Sequence, residues 1–309
     1  MGRAVVNEQI TATVVIATYN RSSLLADTLR SLSEQIQGME GLEVVVVNNN
    51  STDDTNLVAA SYENHLPRFR VVVELHQGLS HARNRGVCEA KGEMVIFLDD
   101  DVELAPDWLT ELLAPFHDPS VAVSGGKVMP FGMQAFPEWL PKEYGYLASV
   151  FDPADSVCEI EKVMGANFAV RRQLFDEVGL FDVKLGRKGS KLLGGEEVEL
   201  FKRIRDAGYK IVYTPNSVVW HKIAEKLKPE YIETYAYWLG VSEAHIDKNI
   251  VSRLKYWLKL LRSRVWPCSV YRVQKMVSGS DAAAAMRYLI KRNYARGYIE
   301  HEKAMAETV

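Results

Sequence analysis

Three carboxylates in a row, Asp99-Asp100-Asp101, follow the apolar run Met94-Val95-Ile96-Phe97-Leu98. Adjacent like charges repel, and the repulsion becomes binding when a divalent cation sits among them. Hard oxygen ligands suit Mg²⁺ or Mn²⁺, and such a metal can hold a diphosphate. A solvated acidic turn ahead of a helix starting near Pro106 is the other account of the same residues. His81, Arg83 and Arg85 follow Gly78 in a helical pattern, where Arg83 could meet a phosphate or belong to a solvated basic face. Glu196 and Glu197 open a helix after Gly194-Gly195. The helix dipole favours acids there, and the same position suits a general base facing a cleft. His221 follows Trp220 and is either structural or a partner of the acidic triplet at a shared metal. Asn48-Asn49-Asn50-Ser51-Thr52-Asp53 could bind a ligand or make an Asx turn and a helix cap.

The elements that must position these groups follow from periodicity. Apolar runs at 13–17, 43–47, 69–74 and 94–98 alternate with helical patterns over 22–35, 52–61 and 79–90. Near-continuous apolar strands separated by helices predict a parallel sheet covered on both faces, in an α/β fold. Such sheets bind ligands at the carboxyl ends of their strands. Thr18-Tyr19-Asn20-Arg21, the run from Asn48 and the Asp triplet all fall at such ends, on one edge of the sheet. Residues 125–195 read as irregular, and 184–195 as a basic, Gly-rich loop. A helix over 196–207 ends at Gly208, a short strand covers 210–213, and the chain turns helical and basic from Pro229.

Composition bounds the rest. The chain has 309 residues, 47% apolar and 25% charged, which excludes a disordered, collagen-like or rod-like protein. Cys88, Cys158 and Cys268 are widely spaced with no C-x-x-C pair. That argues against a disulfide framework or Cys-ligated zinc and for a reducing, cytoplasmic setting. With no apolar leader and no run of ~18 apolar residues, neither a secretory signal nor a spanning helix is expected. The net charge of −3 conceals an asymmetry. Residues 1–221 carry 21 Lys+Arg and 31 Asp+Glu, whereas 222–309 carry 16 and 9. In the basic part, Leu254, Trp257, Leu258, Leu261 and Val265 share one helical face and Lys255, Lys259 and Arg262 another. This helix, over 251–266, would pack on the body, pair with a second copy or lie on an anionic membrane. Met286, Leu289, Ile290 and Tyr294 form a second apolar stripe. Nucleic acid is not expected as a partner, since only the basic tail hints at it.

Six segments in order resemble the inverting family 2 glycosyltransferases of the GT-A fold. They are Val14–Arg21, Val45–Thr55, Gly78–Gly86, Phe97–Asp101, Gly165–Arg171 and Gly194–Leu200. The resemblance covers about 12–221 and implies a Rossmann-like catalytic domain over 1–228, followed by a basic helical extension over 229–309. It implies transfer of a sugar from a nucleoside-diphosphate sugar, most simply a UDP-sugar, to a hydroxyl of a glycan or lipid-linked acceptor. Thr18, Tyr19, Asn20, Arg21 and Asn49 would hold base and ribose, with Asp99 and Asp100 beside them. Arg83 would assist the diphosphate, and Gly165 and Ala166 would border the donor sugar. Asp101, with Asp99 and His221, would hold Mn²⁺ or Mg²⁺, and Glu197, next to Glu196, would be the base. Two positions depart from the family pattern. Asn49 stands where an acidic residue is usual, and Glu197 stands where Asp is usual. The irregular 125–195 region would carry acceptor-binding loops, and peripheral membrane contact or a homodimer would involve the tail. A sugar nucleotidyltransferase would need a Gly-rich phosphate loop after the first strand, which Thr18-Tyr19-Asn20-Arg21 does not supply. A non-catalytic nucleotide-sugar-binding module would have lost the acids at 99–101 or 197.

Overall fold

Valine-rich segments with apolar residues on both faces form the interior strands. The computed structural model describes residues 10–133, 136–247, 258 and 282–306. In it β1 (Ala12–Thr18), β2 (Leu42–Asn48), β3 (Arg70–Val73) and β4 (Met94–Leu98) pair in parallel in the order β3-β2-β1-β4. The crossovers are α1 (Ser22–Ile36), α2 (Thr55–Ala60) and α3 (Leu79–Glu89). The pleat sends alternate residues to opposite faces. Val14, Ile16, Val44 and Val46 accordingly pack with Leu25, Leu29 and Leu32 of α1, while Val15, Val45 and Val47 pack with Ala82 and Val87 of α3.

The sheet continues beyond this parallel part, where the sequence reads as irregular. β5 (Val102–Leu104) precedes α4 (Trp108–Leu113), so that helix starts later than Pro106 suggested. β6 (Val121–Pro130), β7 (Cys158–Glu159), β8 (Asn167–Arg171) and β9 (Lys210–His221) complete the order β3-β2-β1-β4-β8-β6-β9-β5, with β7 beside β9. β8 runs antiparallel to both β4 and β6, and β9 runs parallel to β6. The strand read as ending at Tyr213 in fact reaches His221. Proline cannot donate to a ladder, and Pro215 lies in an irregularity, where Gly126 and Lys127 of β6 face Thr214 and Val218. α5 (Leu174–Val178) and α6 (Glu196–Asp206) join these strands.

The chain divides into two compact units. The first takes in the chain to Phe131, Phe151–Val183 and Glu197–Lys222. At the start of its parallel strands, the fully buried Glu43 accepts from Thr13 Oγ1 (2.6 Å), the Lys91 amide (2.6 Å) and Arg70 Nη1 (2.7 Å). These bonds outweigh burial and hold its carboxyl below the usual range.

The second unit takes in Gly132–Val150, Lys184–Glu196 and the chain from Ile223, so it draws on 132–150, 184–196 and 223–228 from within 1–228. Its helices α7 (Pro229–Ile246) and α8 (Ala282–Ala306) are joined by pairs that advance together: Glu233 with Asn293, Tyr237 with Glu300, His245 with His301. The two helices therefore run in the same direction. Met286, Leu289 and Ile290 of the second apolar stripe are buried with Leu140, Leu147, Ile232 and Ala236. The 251–266 helix falls outside the described residues apart from Leu258, which is helical and half exposed. Among the described residues no helix is long and apolar enough to cross a membrane.

Two substitutions test this packing. Glu43→Gln weakens a buried hydrogen-bonded ion pair and is expected to cost roughly 2–4 kcal/mol in denaturant unfolding at pH 7. A depressed carboxylate stabilises the fold above its ordinary pKa near 4.5 and loses that contribution as pH falls through the lower native value, so the gap between parent and variant should narrow toward pH 3. A Cβ on Gly240 would lie 1.9 Å from the Tyr294 carbonyl oxygen, so Gly240→Ala must separate α7 from α8. Circular dichroism melting should register a lower Tm.

Candidate active site

The acidic triplet sits where β4 ends, and two guanidiniums and an imidazole meet it. Arg21, between β1 and α1, places Nη1 3.0 Å from Asp100 Oδ1 and 3.0 Å from Asp101 Oδ2. Arg83, on α3, lies 3.6 Å from Asp99 Oδ1. His221, the last residue of β9, brings Nε2 to 2.6 Å from Asp101 Oδ1 and 3.8 Å from Asp99 Oδ2. The register explains that approach. β5 starts directly after Asp101 and pairs antiparallel with β9, so Val102 faces His221, and the Lys222 amide donates to the Asp101 carbonyl at 2.8 Å.

Three carboxylates face two guanidiniums, leaving an excess of negative charge. Burial pushes the Asp100 carboxyl up to about 6, against the pull of Arg21 and the Thr18 hydroxyl and with the push of Asp101 and Asp99. Asp100 in return is the main reason the Arg21 guanidinium is held above its usual range. Asp99, Asp101 and His221 each offer a ligand atom, and those atoms lie within 4.8 Å of one another. Two carboxylates and one imidazole with surplus negative charge fit a divalent cation such as Mn²⁺ or Mg²⁺.

Arg83 joins this cluster to the proposed base. It is almost fully buried, donates to the Gly165 carbonyl at 2.9 Å and lies 5.8–5.9 Å from the ring centres of Phe97, Phe168 and Phe181. A Cβ on Gly165 would stand 3.1 Å from Arg83 Nη2 and 3.4 Å from Glu197 Oε1. Gly165 thus marks a corner shared by the guanidinium and the Glu197 carboxylate. Ala166 is buried next to it, and its carbonyl accepts from the Asp99 amide at 3.4 Å. Glu196 is buried too and belongs to the second unit, whereas Glu197 belongs to the first.

The first two strand-end loops brace each other. Asn20 and Asn50 adopt φ of +52° and +62°, a conformation asparagine tolerates. Asn20 Oδ1 accepts from the Thr52 amide (2.7 Å), and the Asn20 amide donates to Ser51 Oγ (2.9 Å). Asn48 Oδ1 accepts from the Ser51 amide at 2.8 Å. Tyr19 projects from this loop, 42% exposed, beside buried Thr18. Asn49 faces elsewhere. Its Nδ2 donates to the carbonyls of Glu74 (3.0 Å) and His76 (2.8 Å), and its Oδ1 accepts from the Gly78 amide (2.8 Å). Both its amide protons are spent within the protein, so none remains for a nucleotide base.

Several supporting residues escaped the sequence reading. Buried Asn167 accepts from Trp108 Nε1 (2.7 Å) and donates to the Ser217 carbonyl (3.0 Å), which fastens the β9 irregularity to α4. Asn84 exchanges hydrogen bonds with the Phe181 backbone, 2.9 Å each way. Glu199 holds Arg203, which donates to the carbonyls of Val178, Gly179 and Leu180. The i, i+4 spacing of Glu199 and Arg203 was a readable signal, but its target turn was not.

Comparison with known proteins follows the same lines. The family model for glycosyl transferase family 2 matches residues 13–179. The glucosyl-dolichyl phosphate glucuronosyltransferase of Haloferax volcanii is 26% identical over 284 residues, covering 86% of this chain and 90% of that protein. The GalNAc(5)-diNAcBac-PP-undecaprenol beta-1,3-glucosyltransferase of Campylobacter jejuni is 33% identical over 114 residues, 36% of each chain. Among solved structures, the mannosyltransferase PcManGT from Pyrobaculum calidifontis, in complex with GDP-Man and Mn2+, superposes with a TM-score of 0.63 at 21% identity, over 96% of this chain and 88% of that one.

The raised Asp100 carboxyl gives a stability test in metal-free buffer. An acid whose native pKa lies above its unfolded 3.8 stabilises the fold below that value, and the contribution is lost as pH rises through about 6. Asp100→Asn should therefore be more stable than the parent by roughly 1–3 kcal/mol at pH 8, with the difference vanishing near pH 3.5. Urea unfolding in EDTA at both pH values reads it.

Proposed function

Because the chain belongs to glycosyl transferase family 2, we propose that it moves a sugar, with inversion, from a UDP-sugar to a hydroxyl of a lipid-linked glycan acceptor. The observation that carries this reading is the corner at Gly165, where Arg83 and Glu197 meet, with Asp99 of the acidic cluster 3.6 Å from Arg83. Glycolipid and polysaccharide assembly is the setting, in line with the lipid-phosphate acceptors in the names of the Haloferax and Campylobacter relatives.

In this reading Thr18, Tyr19, Asn20 and Arg21 border the nucleotide. Asn49 contributes by holding the 74–78 loop that borders the base, in place of a direct bond to it. Asp99, Asp101 and His221 would hold Mn²⁺ or Mg²⁺, which when bound offsets charge on the departing diphosphate. Arg83 adds a fixed guanidinium on the same side, its orientation set by the Gly165 carbonyl and three phenyl rings. Gly165 and Ala166 leave room for the donor sugar. Glu197 accepts the proton of the acceptor hydroxyl as its oxygen forms a bond to the anomeric carbon. The bond from that carbon to the diphosphate oxygen breaks, its electron pair leaving with the diphosphate. Attack from the face opposite the leaving group inverts the centre, through a transition state of the oxocarbenium type described for glycoside hydrolysis. Glutamate reaches one methylene farther than the usual aspartate and offers the same carboxylate.

Two variants test the assignment. Glu197→Gln should keep UDP binding and lose transfer by about 10²–10⁴-fold; turnover at the parent rate removes Glu197 from the role of base. Asp101→Ala should abolish the Mn²⁺ dependence of UDP binding in calorimetry. A parent isotherm that is identical with and without Mn²⁺ overturns the metal assignment. A donor-hydrolysis screen over UDP-, GDP- and dTDP-sugars tests the nucleotide.

A further inference from the structure

The transfer reaction leaves the loop over 184–195 unused. Between Asp182 and Glu196 it carries Lys184, Arg187, Lys188 and Lys191 and no acid, in a part of the chain that is otherwise strongly acidic. It is built, and the building is costly in charge. Lys188 and Lys191 exchange backbone hydrogen bonds, 3.2 Å and 3.0 Å, across the two-residue turn Gly189-Ser190, with Gly189 at φ +57°. Directly opposed residues of an antiparallel pair project to the same side, and like charges placed so repel. Both lysines are exposed, and neither ion-pairs with an acid among the described residues. An anion between them would turn that repulsion into attraction.

The turn is tethered to α7 on either side. Arg187 donates to the Tyr231 hydroxyl at 2.8 Å, and its guanidinium lies 5.5 Å from the Tyr235 ring centre. The Gly194 amide donates to Ser242 Oγ at 3.2 Å. A guanidinium oriented against a ring spends less entropy on binding a phosphate than a free one, and its fork matches phosphate oxygens. Five residues of chain separate Lys191 from Glu197, at most about 20 Å of extended chain.

We propose that Arg187, Lys188 and Lys191 form a phosphoryl site that takes the phosphate or diphosphate joining the acceptor glycan to its lipid. The inference rests on the transferase reading for the owner of the phosphate, and its test is independent of metal and donor. The full chain is titrated with geranyl diphosphate, with inorganic pyrophosphate and with geraniol, all in EDTA, so that Asp99, Asp101 and His221 cannot recruit diphosphate through a cation. Geranyl diphosphate should bind saturably, K188E/K191E should weaken it at least 10-fold with an unchanged melting temperature, and K188R/K191R should keep it. Equal binding by the parent and K188E/K191E, or no saturable binding by the parent, overturns the site. Pyrophosphate binding as tight as that of geranyl diphosphate, and lost in the same variant, overturns the lipid-linked acceptor as its ligand. The Mn²⁺-dependent UDP isotherm reads the transferase assignment separately, so the two readings fail apart.

Discussion

Carboxylates on three successive residues at the end of a buried strand cannot all be ionised unless cations surround them. Most of the first unit can be understood as the arrangement that supplies those cations. The parallel pairing of β1 with β4 brings Arg21 beside Asp100 and Asp101. The pairing of β5 with β9 brings His221 to Asp101, and α3 brings Arg83 to Asp99. Two guanidiniums leave the balance short, and an imidazole facing two acids is a natural seat for the missing positive charge. The strained electrostatics of the acidic cluster and its fitness for a divalent cation are thus one property.

How much of this was readable depended on whether the signal was local. The β1–α1–β2 and α3–β4 rhythm is written in runs of valine and isoleucine with helical repeats between them, and the structure follows it to within a few residues. The Asp triplet, Glu197 and His221 could be singled out because each pairs an unusual residue type with an element boundary, and Arg83 because of its place in the Gly78–Gly86 segment. What stayed hidden was long-range. β6 and β8 contain glycines and an asparagine that break the strand pattern, yet Gly125 and Gly126 are there because Val163 and Ser217 occupy the space a side chain would need. Asn49 shows the same limit at a single residue. Its type suggested contact with a ligand, and only the 74–78 loop, 25 residues and more away in sequence, reveals that its amide serves the protein.

The supporting residues share a design. Arg83, Asn84 and Arg203 each bind backbone carbonyls of segments distant in sequence, and these residues and the acids they meet sit on helices or at strand ends rather than in long loops. Side chains locked by ring packing and by bonds to backbone hold a site to the tolerance that catalysis requires. The Arg83 guanidinium, enclosed by three phenyl rings and tied to Gly165, has few alternative rotamers to visit.

The β5–β9 pairing has a consequence in time as well as in space. Asp101 and His221 are neighbours in the fold but 120 residues apart in the chain, and at about 5–20 residues per second of synthesis the imidazole emerges some ten seconds after the acids. During that interval the nascent β1–β4 sheet carries its acidic cluster with Arg21 and Arg83 to offset it. The last of the described strands to be made completes the hydrogen-bond ladder and brings the third ligand-bearing side chain to the acids. A chain truncated or stalled before β9 would therefore present a half-built sheet with open edges, and quality control would encounter it as such.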